Sequence, residues 1–305
     1  SMQIYENICF LSSNCLNFVD SFLITEMIIF KTKNELSSYL SHLPAKTSIG
    51  FVPTMGALHK GHLTLIERAK IDCSVVICSI FVNPTQFNNK EDFDKYPNSI
   101  TKDITQLEKI NCDVVYTPAV SDLYAENEQI NHYDFDGLDK PMEGKFRKEH
   151  FDAVATIIEK LFEIITPKKA YFGQKDLQQL LIVKSLTKKR NLPVEIVEIP
   201  TIREENGLAM SSRNSLLNKK QLETASLIYN SLLFCKENKA LHSIGKLKTL
   251  IQRNFAEQND VRLEYVAFVD ASTLQSISKF QEKDKNAICI AAFVGNVRLI
   301  DNIIF

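Results

Sequence analysis

The stretch Phe51-Val52-Pro53-Thr54-Met55-Gly56-Ala57-Leu58-His59-Lys60-Gly61-His62 runs an apolar strand into a turn and then into a helix beginning near His62. In a sheet with helices on both faces, such a turn lies at the carboxyl end of a strand, where ligands bind, and a helix N-terminus there offers N–H groups to phosphate. Gly56 and Gly61 allow close backbone approach. His59 and His62 lie one helical turn apart, so two imidazoles could stabilise charge growing on nucleotide phosphates. For H-x-x-H alone, ordinary surface or capping histidines are an equal alternative. A zinc site is the weaker reading, because the pattern lacks the zincin glutamate and no third ligand cluster is near.

Outward from this turn, short apolar runs alternate with helical periodicity from Thr47 to Pro200. Strands are expected at Ser48 to Met55, Ser74 to Val82, Asp113 to Thr117, Lys169 to Gly173 and Val194 to Ile199, most of them too apolar to own a solvent face. Phe151, Val154, Ile157, Ile158, Leu161 and Ile164 recur at steps of three and four, which predicts a helix over His150 to Ile165, ended by Pro167. After Ser211 the pattern changes to helices near Lys219 to Glu237 and Ser243 to Gln258. Strands Arg262 to Val269, Ala287 to Val294 and Val297 to Ile303 follow, the last pair flanking the hairpin dipeptide Gly295-Asn296. The expected fold class is α/β: a Rossmann-like doubly wound parallel sheet over residues 27–200, then a smaller α+β domain over 201–305 with Arg203 to Gly207 as a polar hinge.

Composition narrows the function classes. The chain has 305 residues and is 45% hydrophobic, enough to bury a substantial core. Its 36 Lys and Arg against 37 Asp and Glu leave no basic field for nucleic acid. The cysteines (Cys9, Cys15, Cys73, Cys78, Cys112, Cys235, Cys289) are scattered and form no C-x-x-C pair, which fits reduced thiols in the cytoplasm. Residues 1–26 hold no Lys or Arg, and Asp20 and Glu26 interrupt the apolar run, so neither a signal peptide nor a membrane span is expected. Ser1 before Met2 resembles a cloning scar, Met27 opens an ordinary start, and residues 1–26 read as a non-functional extension.

Three further segments carry chemistry. Asn83 and Gln86, in Ser79-Ile80-Phe81-Val82-Asn83-Pro84-Thr85-Gln86-Phe87, follow a buried strand and could hydrogen-bond a small polar substrate without adding charge beside a triphosphate; the alternative is a plain turn before Asp92. In Phe172-Gly173-Gln174-Lys175-Asp176-Leu177-Gln178-Gln179, Lys175 can reach phosphate oxygens, and Asp176 can meet Mg²⁺ or a ribose, or simply cap the next helix. Met210-Ser211-Ser212-Arg213-Asn214 joins two hydroxyls to a permanent cation near the domain junction, where a loop can close over a nucleotide; by itself it reads more readily as a capping cluster. Arg147 lies in a basic run that could also be a solvated loop.

Taken together and in order, these four motifs resemble the pantothenate synthetase family of the His-x-Gly-His nucleotidyltransferases, over about Met27 to Phe305. The resemblance implies ATP-dependent joining of pantoate to β-alanine through pantoyl adenylate, with Mg²⁺, in a cytoplasmic homodimer that needs no nucleic acid or membrane. His59, His62, Lys175, Ser211, Ser212 and Arg213 would be catalytic. The ATP contacts would extend over Pro53 to His62, Gly173 to Asp176, Ile202 and Met210 to Arg213, with Gln86 on both acids, Gln179 on pantoate, and Asn83 and Arg147 nearby. Gln174 departs from the glutamate usual in that family, which bears on a neighbouring contact and not on the lysine. The runner-up is a nucleotidyltransferase acting on a phosphorylated metabolite, which would want more cations around its second substrate than Gln86 and Gln179 supply. A silent nucleotide sensor would have lost the phosphate donors present here. An aminoacyl-tRNA ligase would want a basic surface.

Overall fold

The computed structural model describes residues 26–88, 90–126, 128–282 and 285–305; residues 1–25 of the expected extension lie outside the described residues. The strands are β1 (Ile28–Phe30), β2 (Ile49–Thr54), β3 (Val75–Ile80), β4 (Val114–Tyr116), β5 (Lys169–Gly173), β6 (Glu195–Ile199), β7 (Val261–Asp270), β8 (Asn286–Val294) and β9 (Val297–Ile304). The helices are α1 (Lys33–Ser41), α2 (Lys60–Asp72), α3 (Lys90–Asp94), α4 (Ile100–Lys109), α5 (Val120–Leu123), α6 (Glu143–Phe146), α7 (His150–Ile165), α8 (Leu177–Lys189), α9 (Lys219–Glu237) and α10 (Ile244–Ala256).

Strands β1 to β6 form one parallel sheet in the order β1-β4-β3-β2-β5-β6. Alternation along the strands sends side chains to both faces. Phe51, Val75, Ile77 and Val114 pack with α7 and α8, whereas Val52, Val76, Cys78 and Val115 pack with Leu65, Ile66 and Ala69 of α2. The expected α/β class is what forms, because neither face of these strands could be left in water. The order runs outward from β2 through β3 to β4, then returns to β5 beside β2. The crevice at the carboxyl ends of β2 and β5 is therefore the topological switch point, the position at which such sheets hold ligands.

Strands β7, β8 and β9 form a second, antiparallel sheet. One face packs on α9 and α10 through Ile228, Leu232, Leu247 and Ile251. The other carries Val269, Ala287 and Cys289 against Met142 and Leu177, so the small sheet leans on the start of α8 beside the crevice. The segment expected as a hinge forms a tight turn. Arg203 bridges Ala209, and the Arg203 guanidinium is fixed by both oxygens of buried Asp301 at 2.6 and 3.0 Å.

Candidate active site

Where β2 ends, α2 begins at Lys60 rather than near His62, because the His59 side chain is its cap. Nδ1 of His59 accepts the Gly61 N–H at 3.1 Å, and Nδ1 of His62 accepts the His59 N–H at 3.4 Å. A side chain on Gly61 would collide with the His59 ring, a Cβ there falling 2.9 Å from it. Both imidazoles thus carry their proton on Nε2, since Nδ1 is an acceptor in each. Burial, reinforced by the Lys175 charge and opposed by Asp176, takes His59 down to about 4. Burial, with His59 and Lys175, holds His62 well below its ordinary value. The ring centroids stand 4.0 Å apart. The site therefore holds a pair of neutral N–H donors at physiological pH.

The expectation of free amides at this helix start needs correction. The N–H groups of Ala57 and Leu58 are taken by Asp103, those of His59 and Gly61 by the two imidazoles.

One cleft of about 1080 Å³ collects the other candidates, just above the ~300–1,000 Å³ typical of ligand pockets. Pro53, Thr54, Met55, His59, Gly61 and His62 line it, as do Gly173, Lys175, Asp176, Ile202 and Met210 to Arg213. Asn83, Gln86, Gln179 and Arg147 also border it. Gly56, Ala57, Leu58, Lys60 and Gln174 do not reach the cleft wall, because they turn into the loop's own support or toward solvent.

The cations meet it from separate elements. Lys175 Nζ lies 3.4 Å from Asp176, whose side chain is 47% exposed and, although Asp176 is the cap residue of α8, makes no capping bond. Arg213 donates to both oxygens of Asp92 on α3, at 3.3 and 3.0 Å, beneath the Tyr96 ring. Ser212 Oγ donates to Ala57 O at 2.9 Å, tying the Ser-Ser-Arg loop to the histidine turn, whereas Ser211 Oγ accepts the Arg213 N–H. Asn83 is spent internally: it accepts from Thr85 and Tyr124 and donates to Gln86 Oε1 at 3.4 Å. Its position orients Gln86, which is buried in a single 3₁₀ turn, Pro84–Gln86. Arg147 and His150 both donate to Gln86 O, at 3.2 and 2.9 Å. Gln178 is likewise consumed by Leu138 O, Pro141 O and the Glu143 N–H, leaving its neighbour Gln179 on the cleft.

Several residues at the site went unread in the sequence. Asp103 lies on the buried stripe of α4 with Leu107, and a carboxylate at that period was its signal. Glu143, buried on α6, receives Arg298 from β9 at 2.7 and 2.8 Å and Tyr265 from β7 at 2.9 Å. Nothing local marks that cluster.

The family model described as pantoate-beta-alanine ligase matches residues 28–304. The chain belongs to the pantoate–β-alanine ligase family. Among relatives of this ligase family, the pantothenate synthetase of Christiangramia forsetii is 43% identical over 279 residues, covering 91% of this chain and 99% of that protein. The crystal structure of pantothenate synthetase from Thermus thermophilus superposes with a TM-score of 0.83 at 36% identity, covering 91% of this chain and 99% of that one. The pantoate-beta-alanine ligase of Francisella tularensis, solved with β,γ ATP and β-alanine, gives 0.77 at 35% identity, over 91% and 97% of the two chains.

Proposed function

We propose that this chain condenses pantoate with β-alanine at the expense of ATP, giving pantothenate, AMP and pyrophosphate. The observation that carries the reading is a single cleft lined both by neutral histidine donors and the cations Lys175 and Arg213 and by uncharged Gln86 and Gln179. The first set suits a triphosphate, the second a small hydroxy acid. Family membership supports the same substrates.

In the first half-reaction a pantoate carboxylate oxygen attacks the α-phosphorus of ATP, and the bond to pyrophosphate breaks. Negative charge moves onto the α-phosphate oxygens and the leaving group, where His59, His62, Lys175, Ser211 and Arg213 act as donors, joined by Ser212 if its hydroxyl turns from Ala57 O. Preorganised donors of this kind are worth about 3–4 kcal/mol each in a site poor in water. In the second half-reaction the β-alanine amine attacks the acyl carbon, the C–O bond to AMP breaks, and the amine gives up its proton. Gln86 would hold both acids and Gln179 pantoate, with Arg147 beside them. No enzyme nucleophile is needed.

Mg²⁺ fits as an ion that travels on the triphosphate. Among the described residues no group of three or more His, Cys, Asp or Glu could cage a metal, but Mg²⁺ is commonly held by one or two carboxylates plus substrate phosphates. Uncapped Asp176 is a carboxylate placed for that, and the ion would lower the charge of the phosphates during transfer. Residues 201–305 are read as the part that closes over ATP bound by residues 27–200, with residues 1–26 outside the catalytic machinery. A homodimer in the cytoplasm is the expected setting. Among the described residues no helix is long and apolar enough to cross a membrane, and sedimentation would test the dimer.

The deciding assay follows AMP from ATP and Mg²⁺ with no acid, pantoate, β-alanine, or both. Turnover that needs both acids and yields pantothenate supports the proposal. If neither acid supports turnover, and pyrophosphate is instead released when a phosphorylated metabolite is added, the nucleotidyltransferase alternative replaces it.

A further inference from the structure

The turn after β2 holds two consecutive residues at positive φ, Gly56 at 79° and Ala57 at 48°. The left-handed region costs an ordinary L-residue roughly 1–2 kcal/mol, so something outside the turn must keep Ala57 there. Successive N–H groups in such turns form a concavity that takes an anion. Here the anion belongs to the protein. Asp103 of α4 is 1% exposed, and its Oδ2 accepts the Ala57 N–H at 2.8 Å while Oδ1 accepts the Leu58 N–H at 2.7 Å. A Cβ on Gly56 would sit 3.1 Å from Oδ2, so the glycine is what lets the carboxylate in. One turn along α4, Gln106 donates to Leu58 O at 3.3 Å. The next N–H in the chain, that of His59, is the one that occupies Nδ1 of His62.

We propose that Asp103 is a positioning residue for adenylate formation. By fastening Ala57 and Leu58 it aims the His59 N–H, and so fixes the Nε2-protonated form in which the His62 imidazole meets the phosphates, while the Gly61 N–H holds the His59 ring independently. The inference rests on the phosphate role given above to His59 and His62. Asp103 touches no substrate; its action runs entirely through the backbone of the turn.

The test is the full chain carrying Asp103→Asn, whose carboxamide keeps the shape but turns an NH₂ toward one of the two N–H groups. Two quantities are read: ¹⁵N shifts of the His59 and His62 rings without substrate, and single-turnover pyrophosphate release from ATP and pantoate. Both Nδ1 atoms of the unmodified protein should resonate as unprotonated acceptors. In the variant the His62 signal should shift toward a mixture of tautomers while that of His59, held by the Gly61 N–H, stays, with release slowed roughly 10–100-fold, as misplacement of catalytic groups by about 1 Å does. A merely structural role would lower the melting temperature and leave the ring signals alone. Unmoved ring signals in folded Asp103→Asn overturn the proposal, as does a full rate when His62→Ala is slow. If His62→Ala is also fast, the phosphate role of the histidines has failed, and the ring signals alone decide whether Asp103 aims His62. Should Asp103→Asn not fold, Gln106→Ala removes only the weaker bond and is read in the same way.

Discussion

The carboxamide nitrogen of Asn302, on β9, donates to the backbone carbonyls of both Gln174 and Lys175, at 2.9 and 2.8 Å. The second sheet thereby holds the loop that carries Lys175. Its neighbour Asp301 grips Arg203, the residue that opens the turn leading to Ser211. Asn302→Leu would strand two partly buried carbonyls, at about 1–3 kcal/mol. Thermal unfolding should show that loss, and the ATP KM should rise while the β-alanine KM holds. An unchanged ATP KM would mean that Lys175 keeps its place without Asn302.

Removing either imidazole should slow adenylate formation by about 10²–10³-fold, the usual effect of losing one preorganised donor. The fold should survive His62→Ala, since this polar cleft residue supplies little of the core. Quenched-flow pyrophosphate release together with circular dichroism would check both halves. Near-normal release would take His62 off the catalytic list.

The same histidines set a pH dependence. His59 is brought from the ordinary 6.5 to about 4, and His150, by burial and then Arg147, to about 3. Between those values the unfolded chain binds protons that the folded chain does not, so stability is complete above about pH 6.5 and falls as the pH drops toward 4. Urea midpoints between pH 7.5 and 4.5 should trace that decline. Adenylate formation, meanwhile, should show no inflection near pH 6.5 from these rings.

Arg213 engages Asp92 through Nη2 alone, and in the proposed reaction that nitrogen would turn to phosphate by leaving Asp92. The pair is partly exposed, with side chains 25% and 43% accessible, and such pairs contribute about 0–1 kcal/mol. Asp92→Asn should therefore tighten ATP binding by no more than about 5-fold, measurable by calorimetry without pantoate. Weaker binding would show instead that Asp92 orients the guanidinium for its ligand.

Burial pushes the Glu143 carboxyl up, yet the hydrogen bonds and charge of Arg298, with Arg147 and Tyr265, outweigh it and keep the group below its ordinary value. It is ionised and locked between the two sheets. Removing one partner from a buried charged pair costs about 3–5 kcal/mol, so Glu143→Ala should lower the unfolding free energy by that order, whereas Glu264→Ala, at the edge of the same cluster, should cost less. Equal losses would show that the burial of Glu143 carries no special weight.

Central elements were legible because their chemistry admits one environment. Every residue of β3 is buried, and the stripe from Phe151 to Ile164 on α7 has only one way to pack. Strand β1 escaped notice, being three residues long at the sheet edge. The histidines, Lys175 and Arg213 stood out as polar groups ending apolar strands or sitting at junctions. Asn302 and Glu143 did not, since each acquires its partner from more than a hundred residues away, and a one-dimensional pattern carries no trace of such a pairing. The same blindness hid Asp92, whose meaning depends on where Arg213 arrives.

Those long separations also order events in time. Lys175 and Asn302 lie 127 residues apart along the chain, and Ala57 and Ser212 lie 155 apart. Closing such loops is slow and entropically opposed, in contrast to the turn-by-turn growth of α7 or α9. During refolding from denaturant, ellipticity should return well before the capacity to release pyrophosphate, with the nucleotide's resting place among the last parts of the molecule to exist.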